Sequence, residues 1–460
     1  MYLNDTIAAI ATPVGEGGIG IIRISGPEVK KIARALLVRP SRCSYPELED
    51  HRVYYGLAVD PETGATLDEV LFFYTQKPRS YTAEDTVEIQ AHGGTLVLSK
   101  ILAAVLRQGA RMAEPGEFTL RAYLNGRIDL VQAESVIDLI RAKTDKAHQL
   151  ALSQLSGTAT RALQELETGL YQILIAIEAV LDFPEEGLPE PTQHVMLEQT
   201  GRLHQQLTAM LAEAATGRKI REGITVVIAG RPNVGKSSLL NKLLQEERAI
   251  VTEIPGTTRD LIEAQIQLYG VPVRLVDTAG LRPTDNPIEQ IGIQKAEAEM
   301  AEADLILLVL DSSQPMNEVD REIIDKVRGK KVLLIFNKID LPRRLEPQPL
   351  SEKNDFKILE ISVASGEGFE RVEQAIVEMV GLGELRVDDR PLLSRVRHKD
   401  ALERSLTALD SFRTGLARGV SEDLLAVDLR SCLGALGEIT GKNVTDEVVH
   451  GIFAQFCIGK

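Results

Sequence analysis

The amino-acid sequence predicts a multidomain protein that combines an α+β N-terminal domain, a discontinuous all-α domain and an inserted α/β domain. The chain has 460 residues, whereas single hydrophobic cores stop growing near ~250–300 residues. Short β-like runs, separated by glycine and proline turns, fill the first 120 residues. From about residue 220, apolar runs rich in β-branched residues alternate with helical patterns, which is typical of a parallel sheet.

The N-terminal domain is expected to contain strands at residues 20–24, 53–59, 70–74 and 86–90. From about residue 121 to 218 the period becomes helical, because apolar side chains recur three and four residues apart. This pattern is clear in residues 130–140 and 162–182, and it predicts two or three long helices.

The α/β domain is expected to contain strands at residues 224–229, 271–276, 305–310 and 332–336. Helical periodicity returns after about residue 382 and continues to the end. We therefore predict domains at residues 1–120, 121–218, 219–381 and 382–460, in which the third is inserted between two parts of one helical domain.

Composition and charge favour a cytoplasmic protein with no membrane segment. Apolar residues make up 44% and charged residues 26% of the chain, as in ordinary globular proteins. No leader pattern opens the sequence, and no apolar run approaches the roughly 20 residues of a membrane span. Three widely spaced cysteines indicate a reducing compartment. The net charge of −15 argues against nonspecific wrapping of nucleic acid.

Residues 230–237, GRPNVGKS, match the phosphate-loop pattern GxxxxGK[ST]. Glycines allow backbone N–H groups to turn toward phosphate at the start of a helix. Lys236 would supply charge to the β- and γ-phosphates, and the Ser237 hydroxyl would bind Mg²⁺. A plain glycine-rich turn is the alternative, but a strand precedes the motif and a helix follows it. The predicted nucleotide contacts in this loop are Asn233, Val234, Gly235, Lys236, Ser237 and Ser238.

Two further segments predict that the base is guanine and the nucleotide GTP. Asn337, Lys338 and Asp340 follow the strand at 332–336, and a carboxylate at 340 can accept from the N1–H and 2-amino groups of guanine. Ser362, Val363 and Ala364 occupy the place of the Ser-Ala-Lys element of guanine-nucleotide proteins. Valine departs from that pattern, but the expected contact there is a backbone N–H.

The segment Asp277, Thr278, Ala279 and Gly280 ends the strand at 271–276. We expect Asp277 beside Mg²⁺ and Gly280 near the γ-phosphate. Many GTPases place next a glutamine that orients the attacking water, but Leu281 cannot do this. Glu289 is the candidate catalytic residue, and a surface carboxylate is its alternative.

A mobile switch is predicted between the phosphate loop and the second strand of the α/β domain. Thr258 would bind Mg²⁺ through its hydroxyl, whereas Arg259 either acts as an arginine finger or pairs with Asp260. The predicted nucleotide contacts here are Thr252, Glu253, Ile254, Pro255, Gly256, Thr257 and Thr258.

These motifs, in this order, resemble the translation-factor-related GTPases. The flanking segments resemble the MnmE (TrmE) family of tRNA-modifying GTPases over essentially the whole chain. They are DTIAAIATPVGEGGIGIIRISG at 5–26, HGG at 92–94, PGEFTLRAYLNGRIDLVQAE at 115–134 and the terminal FCIGK at 456–460.

The resemblance implies a GTP hydrolase with an N-terminal folate-binding and dimerisation domain, a discontinuous helical domain and an inserted G domain. It implies a homodimer that joins the flavoprotein MnmG in a heterotetramer and acts on tRNA. The pair adds a carboxymethylaminomethyl-type group to C5 of the wobble uridine. Potassium-dependent pairing of G domains would drive GTP hydrolysis.

The resemblance also assigns residues. It places K⁺ ligands at Asn233, Thr252, Ile254 and Thr257, and the hydrolytic carboxylate at Glu289. Contacts to a one-carbon tetrahydrofolate fall on Arg23, Glu88, Arg127 and Lys460.

Two questions stay open at this point. Cys457 is either a buried inert thiol or a catalytic residue in the modification, since a thiolate can add to an unsaturated carbon. The alternative function is a ribosome-assembly or translation-associated GTPase switch. Such proteins carry an RNA-binding module such as a KH domain with GxxG, and none is found next to the α/β domain.

Overall fold

The computed structural model describes residues 4–13, 15–182, 193–245, 262–278, 296–345, 356–385, 387 and 390–460. The chain forms two compact units. The first unit comprises Met1–Ile137, Leu155–Glu190 and Thr414–Lys460, and the second comprises Asp138–Gln154 and Pro191–Arg413.

Strands are numbered along the chain through both units. They are β1 (Ile7–Ile10), β2 (Gly17–Ser25), β3 (Leu37–Val38), β4 (Arg52–Val59), β5 (Thr66–Thr75), β6 (Thr86–Gly93), β7 (Arg111–Met112), β8 (Ile224–Ala229), β9 (Ile262–Leu268), β10 (Val271–Asp277), β11 (Leu305–Asp311), β12 (Val332–Asn337) and β13 (Lys357–Glu360).

Helices are numbered in the same way. They are α1 (Val29–Leu36), α2 (Thr95–Arg107), α3 (Glu117–Leu124), α4 (Leu130–Arg141), α5 (Asp145–Leu155), α6 (Thr158–Asp182), α7 (Gln193–Glu222), α8 (Lys236–Gln245), α9 (Glu318–Lys326), α10 (Glu370–Val380), α11 (Val396–Ala417), α12 (Glu422–Thr440) and α13 (Asp446–Phe453). None of these helices is both long enough and apolar enough to cross a bilayer.

The sheet of the first unit has the strand order β3-β4-β5-β6-β2-β1-β7. Every neighbouring pair is antiparallel except β1 and β7. Alternate side chains such as Ile22, Phe72 and Ile89 are fully buried, and they share one core with residues of α1 and α2. The opposite face of β4 and β5 exposes apolar side chains, among them Val53 and Tyr55.

The C-terminal helix α13 packs on α3 and α4. Val449, Phe453 and Phe456 are buried in this contact, whereas Val448 is 45% exposed. Gly116 precedes α3 with φ of +71°, and a Cβ there would lie 2.5 Å from the Phe453 carbonyl oxygen. Glycine is therefore required where these two segments meet.

The expectation of two or three long helices in residues 121–218 is incomplete. Two long helices are present, α6 with 25 residues and α7 with 30, but α4 and α5 are separate and short. Asp129 and Gln132 form a reciprocal pair of side-chain-to-backbone hydrogen bonds, 2.8 and 3.0 Å long, that starts α4. The Thr144 hydroxyl accepts from the Ala147 amide and starts α5.

The sheet of the second unit has the strand order β13-β12-β11-β8-β10-β9. Its neighbouring strands are parallel except for the β9–β10 hairpin. Side chains of α8 and α10 share the core on one face with Val226 and Ile228. Side chains of α9 lie against the other face with Val227 and Ala229. All four strands predicted for this region are confirmed.

Candidate functional site

Four parallel strands of the second unit end at one edge of the sheet. Loop 230–237 follows β8, while β10, β11 and β12 end at Asp277, Asp311 and Asn337. The central strand β8 pairs with β10 on one side and with β11 on the other. Open α/β sheets bind their ligands at such a switch point, and the predicted phosphate loop lies there.

Loop 230–237 has two positions that require glycine, Gly230 and Gly235. Gly230 and Gly235 have φ of +146° and +104°. A Cβ would lie 2.4 Å from the Val309 carbonyl oxygen at Gly230, and 2.2 Å from Asn337 Nδ2 at Gly235. The two glycines of the motif thus let the loop approach its neighbouring strands closely.

Lys236 points back into the loop. Its Nζ donates to the carbonyl oxygens of Gly230, at 2.8 Å, and Arg231, at 3.0 Å. Only 6% of the residue is exposed. Burial lowers the pKa of Lys236, and the charge of Asp277 opposes this effect.

Asp277 and Ser237 form a pair that fits Mg²⁺. Ser237 Oγ donates to Asp277 Oδ2 at 2.8 Å. Asp277 is fully buried, and its Oδ1 atom has no hydrogen-bond partner among the described residues. Mg²⁺ binds through one or two protein oxygens together with substrate phosphates, so the orphan oxygen and the hydroxyl suit it. Within the described part of the chain, no cluster of three or more His, Cys, Asp or Glu residues offers another metal site.

Asn337 connects the phosphate loop to the segment predicted to bind the base. Its side-chain amide donates to the Val234 carbonyl oxygen at 2.8 Å, and its Oδ1 accepts from the Val363 amide at 3.0 Å. Ser362 is buried, and its hydroxyl accepts from the Ser365 amide. Asp340 is exposed to solvent. Asn337 therefore brings the segment at Val363 beside the phosphate loop.

Lys338 makes a second connection to the phosphate loop. Its Nζ donates to the Asn233 carbonyl oxygen at 2.8 Å and to Asp311 Oδ2 at 2.7 Å. Burial acts to raise the pKa of Asp311, but hydrogen bonds from Lys338 and Ser313 outweigh burial and leave that pKa below its ordinary value.

Several predicted site residues lie outside the described residues: Thr252, Glu253, Ile254, Pro255, Gly256, Thr257, Thr258, Ala279, Gly280 and Glu289. Thr278 is described, and its hydroxyl donates to the Ile228 carbonyl oxygen at 2.9 Å. That contact holds the end of β10 against β8.

A second candidate site is a cavity of about 350 Å³ in the first unit. Its lining residues are Arg23, His51, Phe73, Thr75, Pro78, Arg79, Ser80, Tyr81, Thr86, Glu88 and Arg127. Arg23 on β2 lies opposite Glu88 on β6, and Arg23 Nε donates to Glu88 Oε1 at 2.7 Å. Three predicted folate contacts thus line one cavity.

Tyr81 contacts two of the three arginines that line the cavity. The guanidinium carbons of Arg23 and Arg127 lie 5.4 and 5.1 Å from the centre of its ring, within cation–π range. Arg127 also donates to the Tyr81 carbonyl oxygen at 3.1 Å. The Tyr81 hydroxyl is 2.8 Å from Thr119 Oγ1, and burial raises the pKa of Tyr81.

The C-terminal residues lie beside Arg23. Arg23 Nη1 donates to the Gly459 carbonyl oxygen at 3.1 Å. Gly459 has φ of +93°, and a Cβ there would lie 2.6 Å from the Ile10 carbonyl oxygen. Burial lowers the pKa of Lys460, and the positive charge of Arg23 acts in the same direction. Cys457 is exposed, so the expectation of a buried thiol is wrong.

Arg121 was not singled out from the sequence. It is 1% exposed, and its guanidinium donates to Asp5 Oδ1 at 2.6 Å, Glu117 Oε1 at 3.0 Å and Glu84 Oε2 at 3.2 Å. The four-residue spacing of Glu117 and Arg121 on one helix was the only local signal. Asp311 was also missed, although its place directly after a buried parallel strand could have marked it.

Comparison with known proteins matches the whole chain to one family. The model of the GTP-binding protein TrmE N-terminus matches residues 6–127, and the MnmE helical domain model matches residues 130–457. The tRNA modification GTPase MnmE of Geobacter sulfurreducens is 47% identical over 462 residues, which is 100% of each chain. This chain belongs to the MnmE family. The MnmE of Desulforamulus reducens is 44% identical over 460 residues, again across 100% of both chains.

The family match confirms the predicted multidomain architecture. Two solved structures are similar in the G-domain region. The G domain of the T. maritima FeoB iron transporter is 27% identical, with a TM-score of 0.28, and the match covers 34% of this chain and 98% of that chain. Aquifex aeolicus Era is 25% identical, with a TM-score of 0.30, over 40% of this chain and 66% of that chain.

Proposed function

We propose that this protein hydrolyses GTP at loop 230–237 and acts in tRNA modification, as its MnmE relatives are named for doing. The observation that carries the proposal is the meeting of three elements at one sheet edge. They are the phosphate loop, the buried Asp277 carboxylate with one oxygen unpartnered among the described residues, and the Asn337–Lys338 segment.

Each predicted residue of the nucleotide site has a proposed role in binding or hydrolysis. Backbone N–H groups of loop 230–237 and Lys236 bind the phosphates. Ser237 and Asp277, with Thr258, hold Mg²⁺, which when bound offsets the charge of the phosphate oxygens. Asp340 selects guanine through its carboxylate. Glu289 orients the attacking water, because Leu281 has no polar group to do so.

K⁺ is the proposed activator of hydrolysis, with Asn233, Thr252, Ile254 and Thr257 as its ligands. A monovalent cation near the transferred phosphate takes the place of an arginine finger, which is worth roughly 10³–10⁵ in rate. The left-handed φ of +67° at Asn233 is one that asparagine adopts more readily than most residues other than glycine, which fits an asparagine at this position.

A one-carbon tetrahydrofolate is the proposed ligand of the N-terminal cavity. Arginine pairs with the carboxylates of folate, and Glu88 can accept from the amidine-like donors of a pteridine. Arg23, Glu88 and Arg127 line the cavity. Lys460 is close enough for the charges of Arg23 and Glu88 to influence its pKa. We assign the exposed Cys457 a role in the modification that this cavity serves.

We also propose the finer details that the family resemblance implies. The modified position is C5 of the wobble uridine, the partner is MnmG, and the compartment is the cytoplasm. A homodimer is supported by the apolar side chains on the outer face of the first sheet, where Val53, Tyr55 and Leu71 are 62, 54 and 44% exposed. We also propose domain boundaries at residues 120, 218 and 381.

The alternative of a ribosome-assembly switch is less well supported. A G domain fits both functions, so only the flanking regions discriminate between them. Those flanks belong to the full-length match with MnmE proteins at 44–47% identity.

Mass spectrometry of tRNA nucleosides tests the proposal. A strain that lacks this protein should lose the carboxymethylaminomethyl-type modification at wobble uridines. The wild-type gene should restore it, whereas Lys236→Ala should not, since that variant lacks the phosphate-binding ammonium. Unchanged wobble uridines in the deletion strain would exclude the proposed role.

A further inference from the structure

Asp311 is a buried carboxylate with no role in the site described so far. It ends β11 and is 3% exposed. Its Oδ1 accepts from the Ser313 amide at 2.9 Å and from the Ser313 hydroxyl at 2.6 Å. Its Oδ2 accepts from Lys338 Nζ at 2.7 Å. Both oxygens are therefore fixed, and the carboxylate determines where the ammonium of Lys338 lies.

The same ammonium fixes the backbone of Asn233. Lys338 Nζ donates to the Asn233 carbonyl oxygen at 2.8 Å. Asn233 and Lys338 have φ of +67° and +68°, a left-handed region that is uncommon for lysine and that asparagine adopts more readily. A chain of two charge-assisted hydrogen bonds thus runs from Asp311 through Lys338 to the peptide of Asn233.

We propose that Asp311 is a positioning residue for activation by a monovalent cation. It anchors Lys338, and Lys338 holds the Asn233 peptide so that the side-chain amide is presented to the cation. This inference rests on the proposed K⁺ role of Asn233.

The negative charge of Asp311 also favours binding of a cation near Asn233. The Lys338 ammonium lies one hydrogen bond from Asn233, so without a counter-charge it would repel a cation bound by that residue. Asp311 supplies the counter-charge from a buried position, where screening by solvent is weak. Loss of the carboxylate therefore weakens cation binding through geometry and through charge, and both act in one direction.

The test is GTP hydrolysis at saturating GTP, measured against K⁺ concentration at constant ionic strength. Asp311→Asn keeps the shape of the side chain and removes its charge. We expect the K⁺ concentration for half-maximal activation to rise by roughly tenfold, the scale of one charge-assisted hydrogen bond. The rate at saturating K⁺ should stay within about twofold, and the affinity for mant-GDP in sodium buffer should stay within about threefold, because no group that touches the reacting atoms has changed.

Asp320→Asn is the matched control. Asp320 is also buried, and its Oδ2 lies 3.6 Å from Arg231 Nη1 in the phosphate loop, but no contact links it to Asn233 among the described residues. We expect no change in its K⁺ requirement. A shift of equal size in both variants, or no shift in Asp311→Asn, would overturn the inference.

Two further measurements keep the outcomes separate. If the wild-type protein hydrolyses GTP equally fast in sodium and potassium, the proposed K⁺ dependence fails, and the inference fails with it. If Asp311→Asn does not fold, Ser313→Ala replaces it, since it removes only the hydroxyl bond to Asp311 Oδ1. We then expect a shift of roughly two- to threefold in the same direction, and an unchanged K⁺ requirement would contradict the proposal.

Discussion

At the scale of single residues, two asparagines of the nucleotide site form their structural hydrogen bonds differently, Asn337 with its side chain and Asn233 with its backbone. Asn337 is 2% exposed and uses its amide as a structural bridge between Val234 and Val363. Asn233 is exposed, and Lys338 donates a hydrogen bond to its backbone carbonyl oxygen. The Asn233 side chain is therefore the part that a ligand can use, and the sequence motif alone does not distinguish these two roles.

Asn233→Gly should abolish the stimulation of GTP hydrolysis by potassium over sodium while nucleotide affinity stays close to that of the wild type. Glycine removes the amide but accepts φ of +67° without strain, whereas alanine would also disturb the backbone. Hydrolysis rates in matched potassium and sodium buffers, together with mant-GDP binding, check the prediction. Stimulation that survives in this variant would remove Asn233 from the cation site.

At the scale of elements, each site is built where strands and loops distant in the sequence converge. The β2–β6 pair presents Arg23 and Glu88 side by side, and the loop between β5 and β6 supplies Tyr81 and Arg79. The register of the pair determines this geometry, because a shift of one residue would turn both side chains to the opposite face of the sheet.

Arg23→Ala and Arg127→Ala should each weaken binding of 5-formyltetrahydrofolate by about tenfold or more, because each removes a charged donor from the cavity. GTP turnover should not change, since neither residue contacts the nucleotide loop. Calorimetry measures the affinity. Arg52→Ala is the control, because Arg52 lies on β4, pairs with Glu49 on the surface and does not line the cavity. Undiminished affinity in both cavity variants would contradict the assignment.

Glu289, the proposed catalytic residue, carries a prediction of its own. Glu289→Ala should lower single-turnover GTP hydrolysis by a factor on the order of 10²–10⁴, with nucleotide affinity unchanged. A carboxylate at neutral pH accepts hydrogen bonds, so it orients water and does not bind phosphate. A tenfold loss of mant-GDP affinity would show that Glu289 supports the loop instead.

At the scale of the whole molecule, ion pairs of the buried Arg121 connect distant parts of the first unit. Arg121 on α3 binds Asp5 near the N-terminus and Glu84 in the loop before β6. Burial acts to raise the pKa values of Asp5 and Glu117, but hydrogen bonds from Arg111 and Arg121 outweigh it and leave both below their ordinary values of 3.8 and 4.5. Carboxyl groups with lowered pKa values add stability above their unfolded pKa, and this stability is lost as pH falls through the folded pKa.

Arg121→Met should lower the free energy of unfolding at pH 7 by about 3–5 kcal/mol. It leaves Glu84 without the cation it pairs with, and it leaves Asp5 and Glu117 with Arg111 alone. The loss should shrink below about pH 4, where protonated carboxyl groups no longer need a counter-charge. Urea unfolding of wild type and variant at pH 7 and near pH 3.5 checks this. Arg107→Met is the control, since its pair with Asp60 is more exposed and should be worth less than about 1 kcal/mol. Equal losses at both pH values would contradict the prediction.

The sequence by itself determined the local features of this protein. The phosphate loop was recognisable because its glycines and Lys236 follow a fixed spacing between a strand and a helix, and each requirement is satisfied within eight residues. Eight of the thirteen strands that the structure describes in the two sheets were predicted, because the pattern of apolar side chains is a property of neighbouring residues. Family resemblance supplied Arg23, Glu88, Arg127 and Lys460, which no local pattern marks.

Only the tertiary structure decided what depends on strand order and register. Arg23 meets the Gly459 carbonyl across 436 residues of chain, and Asp311 reaches Asn233 through a lysine from the next strand. Arg121 is buried despite its charge, and Cys457 is exposed despite its apolar neighbours. Hydrophobic periodicity states which face of an element is buried, but not which partner covers it. These contacts therefore appear only when both partners have been placed in space.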